Sequence, residues 1–272
     1  MLFLNHALAA RLEKDLRNGN KQLVQTWQSL DSESQAVALE MDGILAVWGG
    51  PDSPINEAVG LGMSSPVDDG MVNQIEQFYA SNHHPSVIRV CPLAHSSLIT
   101  ILQQRAYVLS SFAYRWVLDL GSWNSPFEEA DERVRVARSG EELMWARTVS
   151  SGFSDMETVP EGYDLYLDRA FFRMPGAIPV LSVVNDQPAA AGVLALNKGM
   201  AALFATSTLP SHRGHGLQTA MLDWRLRYAK ENGARIATIE TDPDSASQRN
   251  VERMGFRLAY VAVQMTRPLE QL

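Results

Sequence analysis

Residues 203–228 read LFATSTLPSHRGHGLQTAMLDWRLRY, and their order decides the fold. An apolar run ending in Leu203-Phe204-Ala205 gives way to three hydroxyl residues, Thr206, Ser207 and Thr208, and then to the breaker Pro210. Arg213-Gly214-His215-Gly216 follows. Directly after it Leu217, Ala220, Met221, Trp224 and Tyr228 recur at helical spacing, and Gly233 closes the helix as a C′ glycine. A strand, a glycine-bearing turn and a helix in that order aim several backbone N–H groups at one point. Orphan donors and the helix dipole both favour negative charge there, so the turn is predicted to hold a phosphate.

Working outward, residues 178–184 and 190–196 form a predicted hairpin about Asn185-Asp186-Gln187-Pro188, and Asn197-Lys198-Gly199 leads into the strand that enters the motif. Residues 134–138 read as a strand, 141–151 as a helix and 163–172 as a short helix. Downstream come a strand over 235–241, a helix over 245–254 and a last strand over 256–265. Upstream, apolar residues at Leu4, Leu8, Leu12 and Leu16 predict a helix over 2–17, closed by Asn18-Gly19-Asn20, with a second helix around Leu23, Val24 and Trp27. Residues 36–48 read as mostly extended, 57–62 as a short strand, 68–80 as a helix, 87–90 as a strand, 95–105 as a helix and 111–120 as a strand. Gly121-Ser122-Trp123-Asn124-Ser125-Pro126 has linker composition.

The chain also echoes itself at an offset of 149 residues. Arg105-Ala106-Tyr107-Val108-Leu109 resembles Met254-Gly255-Phe256-Arg257-Leu258, and the same offset lays helix 68–80 over 217–229 and strand 87–90 over 236–239. The expectation is an α/β (α+β) fold of two tandem units, each a mixed, mostly antiparallel sheet flanked by helices: residues 1–122, a linker over 123–130, and residues 131–272. In the first unit the turn reads Met63-Ser64-Ser65-Pro66-Val67-Asp68-Asp69. Two carboxylates sit where a phosphate would have to approach, so that copy is expected to bind none.

Composition narrows the classes. Hydrophobic residues are 46% of the chain and charged ones 20%, a globular balance. The net charge of −8 argues against nucleic acid, whose binding rests on basic contacts to phosphate, and suits a cationic partner. No apolar run reaches the roughly 20 residues that cross a bilayer, so no membrane partner is expected. The single cysteine, Cys91, excludes an internal disulfide and suits a reducing cytoplasm.

Arg213-Gly214-His215-Gly216-Leu217 between a strand and a helix, with Gly255-Phe256 opening a last strand about 40 residues on, resembles the acyl-CoA signature of the Gcn5-related N-acetyltransferase (GNAT) superfamily. The resemblance covers residues 131–268. It implies acetyl-CoA as co-substrate, with the pantetheine arm lying between two splayed strands as an added strand would. Carried over by position, Leu203, Phe204, Ala205 and Ser207 line the arm. Arg213, Gly214, His215, Gly216, Leu217 and Gln218 hold the pyrophosphate, and Ser247 and Asn250 touch the arm from the following helix. The sequence departs from the family at Ser211, where Gln or Arg is usual, and at Val251, where many members carry the Tyr that protonates the leaving thiolate.

Two side chains are candidates for proton transfer, Glu240 as general base and Tyr260 as an acid in place of the missing Tyr; each could instead be structural. Of Trp145, Phe153, Phe171 and Phe172, one is expected to line an acceptor pocket. Neither His212 nor His215 has partners at metal-ligand spacing, so no metal is expected. The reading is an acyl-CoA-dependent N-acyltransferase moving acetyl to the amine of a small molecule by direct attack in a ternary complex. The alternatives are a non-catalytic acyl-CoA sensor or scaffold and a protein or peptide N-acetyltransferase. A second copy of the chain, in a homodimer, is a candidate partner.

Overall fold

The structure is a computed structural model that describes residues 3–31 and 34–272. In chain order it contains α1 (His6–Leu30), β1 (Val37–Met41), β2 (Ile44–Trp48), β3 (Ala58–Val59), α2 (Asp69–Ser81), β4 (Ser86–Val90), α3 (Ser97–Gln104) and β5 (Val108–Asp119). There follow β6 (Val134–Val136), α4 (Glu142–Phe153), α5 (Tyr166–Arg173), β7 (Ala177–Val184), β8 (Gln187–Asn197), β9 (Met200–Thr208), α6 (Leu217–Glu231), β10 (Ile236–Thr241), α7 (Ala246–Arg253) and β11 (Arg257–Arg267). The chain divides into two compact units. One comprises Trp116–Arg257 and the other Phe3–Arg115 with Leu258–Leu272.

In the unit built from the chain's first residues the strand order is β1-β2-β3-β4-β11-β5. β1 and β2 are antiparallel, as are β2 and β3, whereas β3 and β4 are parallel and β4 runs antiparallel to β11. The strand that closes the chain thus completes this sheet. Helices α2 and α3 pack Val72, Ile75, Tyr79, Leu98 and Leu102 onto Ile44, Ala46, Ala58 and Ile88. Tyr79 reaches through that core to donate to the Val47 carbonyl at 3.0 Å.

The two helices expected over the first 30 residues are one. Asn5 caps α1 by accepting from the Leu8 N–H, and the helix runs through Asn18-Gly19-Asn20 without interruption. A glycine inside a helix costs about 1 kcal/mol. Leu8 and Leu12 before it, and Leu23, Val24 and Trp27 after it, are all buried, and that burial exceeds the cost. Glu13 on the same helix is buried as well, 3.9 Å from the Arg89 guanidinium, which lies 3.7 Å from Glu57.

In the second unit the order is β5-β10-β9-β8-β7-β6, with the last residues of β5 contributing. Tight two-residue turns set the register. Val184 pairs Gln187 across Asn185-Asp186, both with positive φ, and Asn197 pairs Met200 across Lys198-Gly199, also both positive. This is the backbone that matches the right-handed twist of two antiparallel strands.

Side chains alternate across this sheet. Leu181, Ala191 and Val193 face α4, with Trp145, Ala146 and Val149. Val180, Ala189 and Ala190 face α6, with Leu217 and Met221. Trp145 is fully buried and its indole donates to the Val180 carbonyl at 3.1 Å. Trp123, in the stretch of linker composition, is buried too, and its indole donates to the Met254 carbonyl at 3.0 Å. Among the described residues no helix is long and apolar enough to cross a membrane.

Candidate active site

The site begins where two parallel strands stop pairing. β9 and β10 match from Met200 with Ile236 to Leu203 with Ile239. β9 continues to Thr208 and β10 to Thr241, so their facing edges beyond Leu203 carry no ladder. The cause lies on the other edge of β9. Against β8, Val193 sits opposite Phe204 and Ala191 opposite Ser207, leaving Ala205 and Thr206 to face Gly192 alone. This is a β-bulge, and Ala205 takes a φ of +47° to make it. As a result Phe204 and Ala205, although neighbours in sequence, both pack toward α4 and α5. Gly192 is required opposite: a Cβ there would stand 2.6 Å from Thr206 Oγ1.

The turn that follows has the open geometry expected of an anion site. Gly214 and Gly216 sit at φ +78° and +76°, and a Cβ on either would meet nothing within 4 Å. Gly216 is the N-cap of α6 and supplies no side-chain hydrogen bond, so the first-turn N–H groups are left for an outside acceptor. The counterpart helix in the other unit differs at this point. The Asp68 side chain caps α2, accepting from the Met71 N–H at 2.9 Å.

The Arg213 side chain is engaged elsewhere. It donates to the Asp155 carboxylate, to the Gly152 carbonyl at 2.9 Å and to the Thr208 carbonyl at 3.2 Å, tying the turn to the end of α4. Ser211 binds Glu157 through its N–H at 2.6 Å and its hydroxyl at 2.8 Å. An anion at this turn would therefore meet backbone N–H groups, with His215 exposed beside them and the Gln218 amide 2.9 Å from Thr208 Oγ1. The Leu217 side chain is core, so that residue offers the turn its N–H alone.

The acetyltransferase (GNAT) family model matches residues 142–256, from the first residue of α4 to the glycine-aromatic step before β11. Residues 142–256 are a GNAT acetyltransferase domain. Solved structures agree on the fold across both units. A GCN5-related N-acetyltransferase from Kribbella flavida is 20% identical and superposes with a TM-score of 0.65 over 96% of this chain and 95% of its own. A GCN5-related N-acetyltransferase from Sphaerobacter thermophilus is 13% identical, with a TM-score of 0.58 over 86% of this chain and 76% of its own. A tandem GNAT protein from the clavulanic acid biosynthesis pathway, 13% identical, has a TM-score of 0.58 over 93% of this chain and 95% of its own. No curated protein matches the sequence.

Within the GNAT domain the remaining side chains sort by what they touch. Ser207 is buried, and its hydroxyl donates to the Val149 carbonyl at 2.9 Å, so its polar atom turns to α4. Glu240 is exposed, one residue past the last β9–β10 pair. On α7, Ser247 is exposed and Asn250 half-buried, accepting from Arg253 at 3.4 Å. Val251 is 1% exposed and belongs to the core, and valine carries no group that can give a proton. Phe171 of α5 meets the Phe204 ring with centroids 5.4 Å apart, while Phe172 lies against Trp145 and Phe153 is exposed. Among the described residues no group of three or more His, Cys, Asp or Glu side chains could hold a metal ion.

Tyr260 falls in the unit with residues 3–115. It is buried, its hydroxyl donates to Glu13 at 2.5 Å, and burial first and then the Glu13 charge push its pKa up.

One group escaped the sequence reading. Asp168 on α5 accepts from the Ser150 hydroxyl, and burial, with a smaller push from Asp164, raises its pKa to about 6. The arginines of the same helix turn elsewhere, Arg169 and Arg173 both donating to Glu142, at 2.7 and 2.6 Å. No sequence signal marked Asp168, because its perturbation depends on tertiary burial.

Proposed function

We propose that this chain is an N-acetyltransferase that transfers acetyl from acetyl-CoA to the amine of a small molecule, by direct attack in a ternary complex. One arrangement supports it: an uncapped, glycine-turned N-terminus of α6 at the end of a strand whose pairing with β10 has just ceased. The turn suits the pyrophosphate, and the open edge of Phe204 and Ala205 suits an extended amide-bearing arm. Residues 131–272 would hold the chemistry. Residues 1–122 would hold no cofactor, since Asp68 fills the corresponding helix terminus with its own carboxylate.

In this reading Glu240 takes the proton of the amine, directly or through water, because an amine of pKa near 10 must be neutral to attack. Asp168, ionising near pH 6, is a second carboxylate for a cationic acceptor. The experiment is thiol release from acetyl-CoA against a panel of small amines, amino acids and peptides. Release that depends on a small amine is the expected result. Tight acetyl-CoA binding with no release by any acceptor would favour a sensor, the reading that the buried Val251 favours. Release with peptides alone would replace the small-molecule acceptor.

A further inference from the structure

A fully buried charge in the GNAT domain lacks a counter-charge among the described residues. Arg225 of α6 is 1% exposed. Its Nη1 donates to the Val193 carbonyl at 3.0 Å and to Thr206 Oγ1 at 2.7 Å, and its Nε to the Met221 carbonyl at 3.0 Å. Among the described residues no carboxylate pairs with it. Three other arginines of the domain have one: Arg227 pairs with Asp223, and Arg169 and Arg173 with Glu142. Burial lowers the pKa of Arg225 to about 9, which leaves it cationic at neutral pH.

A buried guanidinium without an anion is costly, and filling such a site with an apolar side chain commonly stabilises a fold. Pinning the bulge does not demand a charge either, since a neutral amide could donate to a carbonyl and a hydroxyl. The location is what distinguishes this cation. Val193 and Thr206 flank the bulge, Nη1 stands 3.2 Å from where a Cβ on Gly192 would lie, and Thr206 passes the contact on by donating to the Phe204 carbonyl at 3.1 Å. Arg225 therefore sits under Phe204, Ala205 and Thr206, the segment whose far edge lacks a ladder.

We propose that Arg225 is a positioning residue for the acyl transfer: through Thr206 it fixes the bulge, and its uncompensated charge favours the negative charge that develops at the thioester. The proposal rests on the acyltransfer reading above. In that step the amine nitrogen forms a bond to the thioester carbonyl carbon and the carbon–sulfur bond breaks. The electron pair leaves on sulfur, and the nitrogen's proton goes to Glu240 or water. Valine at position 251 offers the sulfur no proton, and in this proposal the sulfur departs as a thiolate. A fixed cation in a dry site favours that anion without a proton transfer.

The test compares Arg225→Gln and Arg225→Lys with the unaltered chain, reading kcat, acetyl-CoA affinity and the pH profile. Arg225→Gln should lower kcat at least tenfold while the acetyl-CoA Kd moves less than threefold. Arg225→Lys should recover most of kcat near pH 7, and its rate relative to the unaltered chain should fall at higher pH as the buried amine loses its proton. Arg225→Gln with kcat within threefold would overturn the proposal. Should that variant fail to fold, a pH-independent ratio of the Lys variant to the unaltered chain would overturn it as well. An unaltered chain with no acceptor-dependent thiol release would overturn the underlying reading, a result distinct from turnover that ignores residue 225.

Discussion

Asp168→Asn should stabilise the protein, and by an amount that depends on pH. An ordinary aspartate ionises near pH 3.8, whereas burial holds Asp168 protonated until about pH 6. Between those values the folded chain binds a proton that the unfolded chain does not, so stability falls as pH rises through the window. The full cost of ionising the folded group, 2.2 pKa units, is about 3 kcal/mol at pH 8; at pH 5, where the folded group is still mostly protonated, it is about 1.6 kcal/mol. Asparagine keeps the shape and can still accept from Ser150, but carries no charge at either pH. The variant's advantage over the unaltered chain should therefore grow by about 1.4 kcal/mol from pH 5 to pH 8. Urea denaturation at the two pH values, with slopes compared to confirm a common transition, measures it. A stability difference that is flat across this range would refute the account of Asp168. Ser150→Ala offers a check of sign, because the lost hydrogen bond favours the ionised form and its removal should move the transition to higher pH.

Four further outcomes follow from the geometry. Gly214→Val forces a branched residue into φ +78° with nothing nearby to clash, so acetyl-CoA affinity should fall at least tenfold with only about 1–3 kcal/mol of lost stability; isothermal titration would detect unchanged affinity. Gly216→Asp, compared with Gly216→Asn, places a carboxylate on α6 as Asp68 does on α2; the Asp variant should bind acetyl-CoA at least tenfold more weakly than the Asn variant, and equal affinities would exclude an anion at the turn. Glu142→Gln removes the shared charge of Arg169 and Arg173 and should cost about 2 kcal/mol in urea denaturation. Glu240→Gln should lower kcat/KM by about 10²-fold or more, with the loss greatest where the amine is mostly protonated.

The elements of the second unit were legible because their local and tertiary signals coincide. Asn185-Asp186 and Lys198-Gly199 are residues that tolerate positive φ, they lie between alternating apolar runs, and the strands they join pair as those turns require. The first 30 residues were harder. Asn18-Gly19-Asn20 carries a true local preference against helix, and only the burial of Trp27 and Val24 beyond it reverses the outcome. Residues 36–48 hid a turn at Asp42-Gly43, where Gly43 takes φ +76° and Met41 pairs with Ile44. The bulge at Ala205 could not be read at all. Alanine has no preference for φ +47°, so that conformation is imposed by the register of β8 and by the space that Gly192 leaves. Arg213 shows the same limit from the other side: its residue type suits a phosphate, and the sequence did not show that Asp155, Gly152 and Thr208 engage three of its N–H groups.

The two units share an arrangement, and it is one helix terminus that separates them chemically. In both, two parallel strands are separated in sequence by a helix: β3 and β4 by α2, β9 and β10 by α6. At α2 the first-turn N–H groups are met by Asp68, a carboxylate that both caps the helix and repels a second anion. At α6 the corresponding cap is a glycine with no side chain to offer, and the donors remain available. Capping by a side chain and binding of a phosphate compete for the same few hydrogens. A helix terminus that stabilises itself has therefore given up the ligand, and α6 gives up roughly the few tenths of a kcal/mol that separate a good cap from glycine. That deficit is offset when an anion binds. It is the physical reason to expect acetyl-CoA to raise the unfolding temperature through α6 and to leave α2 unchanged.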